Sequence, residues 1–202
     1  MIQRSERFFA AKSPALLNHT LVTRALLIGA LVLITPVSAF GEEAAAESAE
    51  TSVDAHAVFK QLKSFEGTWK GSAKGEGEDE MEESPGAVHE FRVASAGTVV
   101  METMNQGTDH EMINMYHLDG DELRLTHYCA GDNQPHMMLD RKASTPEKLI
   151  FTFVGGTNLD PEVDHHIHGV EISVKDENHI LSSWIGYGGG KQTGVMNFDL
   201  AR

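Results

Sequence analysis

Residues 112–129 read MINMYHLDGDELRLTHYC. Two runs of alternating residues flank Asp119-Gly120, a pair suited to a tight reversal because glycine enters positive φ at little cost. With these two residues as the turn, Leu118 pairs with Asp121, and paired residues keep a common face. Met112, Asn114, Tyr116, Leu123, Leu125, His127 and Cys129 then lie on one side. That side is apolar enough to be an interior, yet it carries an asparagine, a tyrosine and a histidine.

The same two-residue period extends outward through most of the chain. It predicts ten strands, near 66–74, 87–95, 98–106, 110–118, 121–129, 135–142, 148–154, 165–175, 179–187 and 192–200. Tight turns are expected at Ala96-Gly97, Asp176-Glu177-Asn178 and Gly188-Gly189-Gly190. The Ala96-Gly97 turn pairs Val93 with Val100 and Phe91 with Glu102, which places Glu102 inside, near Met104 and His89. Strand 179–187 is ambiguous, because Trp184 and Ile185 claim opposite faces. Consecutive hairpins without crossovers make an antiparallel up-and-down meander, and closing it removes the exposed edges. The fold class expected is all-β: a ten-strand antiparallel barrel with one short N-terminal helix. Ten strands enclose more room than the eight that side chains just fill, so an internal cavity is expected.

The helix is predicted over 53–64, where Ala55, Val58, Phe59 and Leu62 share a face and Ser52 or Asp54 is placed to cap it. The stretch GEGEDEMEESP, 75–85, carries six acids in eight positions and lacks the ligand spacing of an EF-hand loop. It reads as a solvated hairpin loop.

In DHHIHGVEIS, 164–173, alternation puts His166 and His168 on the face of Val170 and Ile172, and His165 on the other with Glu171 and Ser173. Trp69 likewise points inward from EGTWKGSAK, 66–74. The predicted interior therefore mixes aromatics and methionines with Glu102, Asn114, Tyr116, His127, His166 and His168. A sealed core does not carry so many polar groups without partners, whereas a small-molecule cavity does. His127, His166 and His168 are expected to line one polar patch, with His165 at the surface.

Residues 1–39 read as a signal peptide: Arg4, Arg7, Lys12 and Arg24 precede ALLIGALVLITPVSA, which ends in Val37-Ser38-Ala39. Residues 40–52 read as a flexible acidic leader and 53–202 as the barrel domain. The expected location is exported, periplasmic or extracellular, with no stable membrane anchor once the signal is removed. Net charge is −14, and removing four bases and Glu6 with the signal leaves −17. Such a surface repels phosphate backbones, so nucleic acid is not an expected partner; a small-molecule ligand is. Cys129 is the single cysteine, which excludes an internal disulfide; it reads as a buried, inert thiol.

FEGTWKGSAKGEG, 65–77, resembles the opening strand of the calycins, the lipocalin-like barrels, with their Gly-x-Trp motif at Gly67-Thr68-Trp69. MINMYHLDGDELRLTHYCAGDNQPHM, 112–137, together with the later His-x-His strand, is similar to a group of uncharacterised exported lipocalin-like bacterial proteins. The resemblance covers about 60–201 and implies a calycin fold and small-molecule binding. The ten-stranded nitrobindin-like haem barrels are similar too, but their C-terminal haem-ligand segment has no match here.

Two functions compete on these residues. The first is a binding module holding a small, largely apolar molecule, with Trp69 and the methionines supplying area and the polar set supplying anchors. The second is a His-based zinc, copper or haem site, possibly catalytic, with His166 and His168 as ligands, His127 as a third and Glu102 as a base or fourth. Against a cupin-type site, only two residues separate His168 from Glu171, one short of the cupin spacing, and Glu171 faces the other way. No nucleophile elbow, phosphate loop or dinucleotide motif is present, so the reading leans away from an enzyme. The sequence specifies no cofactor.

Overall fold

The computed structural model describes residues 52–202 apart from Asp79. The expected signal peptide, and all but the last residue of the leader, lie outside the described residues. Helix α1 (Ala55–Lys63) precedes ten strands: β1 (Gly67–Gly77), β2 (Met81–Ala94), β3 (Val99–Met104), β4 (Met112–Asp119), β5 (Glu122–Tyr128), β6 (Gln134–Leu139), β7 (Lys148–Thr157), β8 (His166–Asp176), β9 (His179–Gly188) and β10 (Lys191–Ala201). Each strand pairs antiparallel with its neighbour in sequence, and β1 pairs with β10 to close the barrel. Closure requires a close approach at that seam. A Cβ on Gly71 would sit 1.7 Å from the Asp199 carbonyl oxygen, so only glycine fits there.

The opening hairpin forms with its turn one residue later than expected. Asp119 pairs with Glu122 and Leu118 with Leu123, so Gly120-Asp121 is the reversal. Gly120 takes φ +61 at its first position, where a primed turn demands positive φ. The slip moves each partner by two residues and therefore preserves every face. The β2–β3 register agrees with the expectation, pairing Val93 with Val100 and Phe91 with Glu102. The β8–β9 connection is shorter than expected, with Asp176 pairing His179 across two residues. Trp184, ambiguous in sequence, is buried with Ile180 and Ser182, while Ile185 is half-buried.

Two expectations are corrected outright. The acidic run at 75–85 is mostly strand rather than loop, since β1 continues to Gly77 and β2 begins at Met81. Its described acids remain exposed although most of the run is strand, and Ser72 and Lys74 on β1 meet Glu83 and Glu76 at 2.7 and 3.1 Å. Cys129 is half-buried rather than buried. The β5 ladder ends at Tyr128, and the chain turns there through a bond from Asp132 N–H to the Cys129 carbonyl.

Helix α1 is capped by Asp54, whose side chain accepts from His56 and Ala57 N–H at 2.7 and 3.1 Å. Its apolar face, Ala55, Val58, Phe59 and Leu62, is buried against the barrel end formed by the β2–β3 and β4–β5 connections. Each large side chain buried there contributes about 1.5–3 kcal/mol relative to exposure. Trp69 is sealed behind the helix: its indole N–H donates to the Phe65 carbonyl at 2.7 Å and its ring meets Phe65 and Phe91 edge-on. The Arg202 guanidinium lies 4.6 Å from the indole centroid, held by the carbonyls of Glu66 and Glu177. This end is shut, and the opposite end is the mouth.

Candidate functional site

The buried polar side chains of β2 to β5 form one hydrogen-bonded row. Asn114 is the Cα partner of both Glu102 and His127, so three adjacent strands present Glu102, Asn114 and His127 side by side. Glu102, 2% exposed, receives His89 Nδ1 at 2.7 Å on one oxygen. Its other oxygen receives Asn114 Nδ2 at 2.9 Å and Tyr116 O–H at 2.7 Å. Burial, then the Glu102 charge, pushes the Tyr116 hydroxyl well above its usual range, so it keeps its proton and donates. Asn114 also directs Nδ2 toward Met104 Sδ at 3.3 Å and receives His127 Nδ1 on its carbonyl oxygen at 2.6 Å.

The row leaves atoms over. His89 Nε2 and His127 Nε2 are buried without a hydrogen-bond partner, and so is Asn133 Oδ1. Leaving a buried polar atom unmet costs about 1–3 kcal/mol. The His89 ring packs on Phe198 at 4.6 Å between centroids, and the His127 ring on Trp184 at 5.3 Å.

His166 and His168 stand apart from this row. Their hydrogen bonds and ring contacts are with each other, Asp164, Phe153 and Tyr187. The Asp164 carbonyl can only accept, so His166 donates Nδ1–H at 2.9 Å and takes the Nδ1–H of His168 on Nε2 at 3.0 Å. A bulge between Ile167 and Gly169 makes His168 the extra residue of β8. Its ring is stacked between Phe153 and Tyr187, at 4.6 and 3.8 Å. His165 is exposed.

Of the residues expected to bind a ligand, the fold gathers Glu102, Asn114, Tyr116 and His127, places His166 and His168 in a second cluster, and commits Trp69 to the closed end. Among the described residues no group of three or more His, Cys, Asp or Glu is arranged to hold a metal ion. Glu102 already accepts three hydrogen bonds, and His166 Nε2 is bonded to His168. Sequence reasoning placed His89 inside but not in the site, although its parity with Ala87 and Phe91 was readable. It missed Phe153 and Tyr187.

The central barrel is filled by Tyr116, Phe151, Leu125, Met137, Trp184 and their neighbours. The cavity that reaches interior side chains lies at the mouth, about 420 Å³, lined by Ala73, Met81, Ala87, Met112, Met196 and Phe198, with Asn105 and His110 at its edge. A second depression, of about 320 Å³ on β1, β2, β9 and β10, presents Lys74, Glu83 and Asp199 to solvent. The mouth is the better candidate because it is apolar and adjoins the polar row through Phe198.

Burial holds the His127 pKa down at about 4, opposed by the Glu102 charge, and burial and then His166 lower that of His168. A histidine held neutral in the fold but free to protonate when unfolded destabilises the fold as pH falls. Stability is expected to be intact above pH 6.5, to fall between 6.5 and about 4, and to level off for this group below that. Urea midpoints across that range and ring-proton titration of His127 measure it; a His127 midpoint at or above 6.5 would contradict the neutral assignment.

No protein-family model matches the chain, and no curated protein does. A solved structure of a protein of unknown function from the DUF3598 family of Nostoc punctiforme is similar, with TM-score 0.42 and 11% identity. The match covers 70% of this chain and 49% of that one, so the chain spans about half the length of that protein.

Proposed function

We infer that this protein is an exported, lipocalin-like barrel that holds a small, largely apolar molecule at its mouth. The observation that carries the reading is the 420 Å³ mouth cavity, walled by methionines and by Phe198, on which the buried ring of His89 packs. Apolar walls supply area, methionines adapt to shape, and a few polar atoms orient the guest. The calycin-like Gly67-Thr68-Trp69 opening and the export signal read from residues 1–39 support the same conclusion.

Native mass spectrometry of the protein recovered from its own host tests it. An organic mass that co-purifies and is removed by solvent extraction is the expected result. Stoichiometric zinc, copper or iron porphyrin in its place would favour the His-based metal or haem reading and overturn this one. Trp184, against His127, is the internal reporter: ligand-dependent quenching is expected to survive Trp69→Phe and vanish in Trp184→Phe.

A further inference from the structure

The polar row has a direction, and it defines what the guest must offer. Tyr116 O–H and an Asn114 amide N–H both end on Glu102 Oε2, which can therefore only accept. Asn114 spends its nitrogen on Glu102 and Met104, so its oxygen is turned to His127 and must itself accept. His127 consequently carries its proton on Nδ1 and presents a bare lone pair on Nε2. That tautomer is set by a chain of three side chains, His127, Asn114 and Glu102, anchored on the one carboxylate. It does not depend on the ring's surroundings, though its low pKa keeps the ring neutral at physiological pH.

Among the described residues nothing meets the lone pair. His127 is 0% exposed and its Nε2 has no partner. The nearby Trp184 N–H is directed to Ser182 Oγ at 3.2 Å. No lysine or arginine is buried among the described residues, so the interior holds no fixed cation of either kind to receive an anion. An incoming carboxylate would face the Glu102 charge and the His127 lone pair together, and would lose its hydration doing so.

We propose that the interior selects a neutral guest carrying a hydrogen-bond donor, a phenol, alcohol or N–H heterocycle, and rejects carboxylates of the same skeleton. The donor is delivered to His127 Nε2, against Trp184, while the apolar body extends to the mouth, whose Phe198 packs on His89 at the other end of the same row. This rests on the reading that the mouth binds a small apolar molecule, and it names the chemical class of that molecule.

Three probes of one skeleton separate the possibilities: 2-naphthol, 2-methoxynaphthalene and 2-naphthoate, titrated calorimetrically at pH 7 into purified, solvent-extracted protein. The naphthol is expected to bind about tenfold or more tighter than the ether, which leaves the acceptor unmet. The naphthoate is expected to bind weakest. In 15N-labelled wild-type protein the His127 Nε2 resonance should move upfield with naphthol and stay in place with the ether, a readout that needs no variant to fold. In His127→Phe the naphthol and ether affinities should converge to within about twofold. Equal binding of naphthol and ether by the wild type, or tightest binding of the naphthoate, overturns the donor requirement and leaves the apolar-ligand reading standing. Failure of all three to bind overturns both.

Discussion

Glu102→Ala is expected to destabilise the protein by about 3–5 kcal/mol, the range for removing one member of a buried, hydrogen-bonded charged group. Glu102 is 2% exposed and is the common acceptor for His89, Asn114 and Tyr116. Its removal strands three buried donors at once, and each unmet donor carries a desolvation cost of its own. Glu102→Gln keeps the shape but turns an N–H toward one of those donors, so about half the loss is expected. Urea unfolding at pH 7, followed by near-ultraviolet circular dichroism, measures both. A loss below about 1 kcal/mol for Glu102→Ala would show that water enters and replaces the carboxylate.

Trp69→Ala is expected to cost about 3–5 kcal/mol by a different route, the cavity left by a large core side chain. Trp69 is 0% exposed and joins β1 to the α1–β1 connection through Phe65 and to β2 through Phe91. Its loss also frees the Phe65 carbonyl and removes the ring beneath Arg202. Trp69→Phe should recover more than half of the stability, because most of the apolar volume returns. Since Trp69 lies at the closed end, ligand affinity of the folded fraction should change by less than about twofold. A Trp69→Phe variant that is stable but fails to bind would move the site away from the mouth.

Strand number, chain order and most facing were legible from alternation alone. The Ala96-Gly97 turn yielded the β2–β3 register and put Glu102 inside; even the misplaced Asp119-Gly120 turn left the faces correct, because its error was an even number of residues. The grouping of the histidines was not legible. Parity states that His127, His166 and His168 belong to particular faces, but their separation depends on stagger, strand tilt and local bulges. The bulge at His168 sets that ring between Phe153 and Tyr187 and bonds it to His166, which divides one expected patch into two.

The sequence by itself determined the architecture of this protein, because a period of two residues is a local property that each strand declares independently. It also determined that polar groups enter the interior, since their parity with buried apolar neighbours can be read along one strand. Only the tertiary structure decided which polar atoms satisfy one another. A hydrogen bond forms over about 3 Å between atoms that lie far apart in the chain. Its direction passes from Glu102 through Asn114 to His127, and emerges only when β3, β4 and β5 stand side by side.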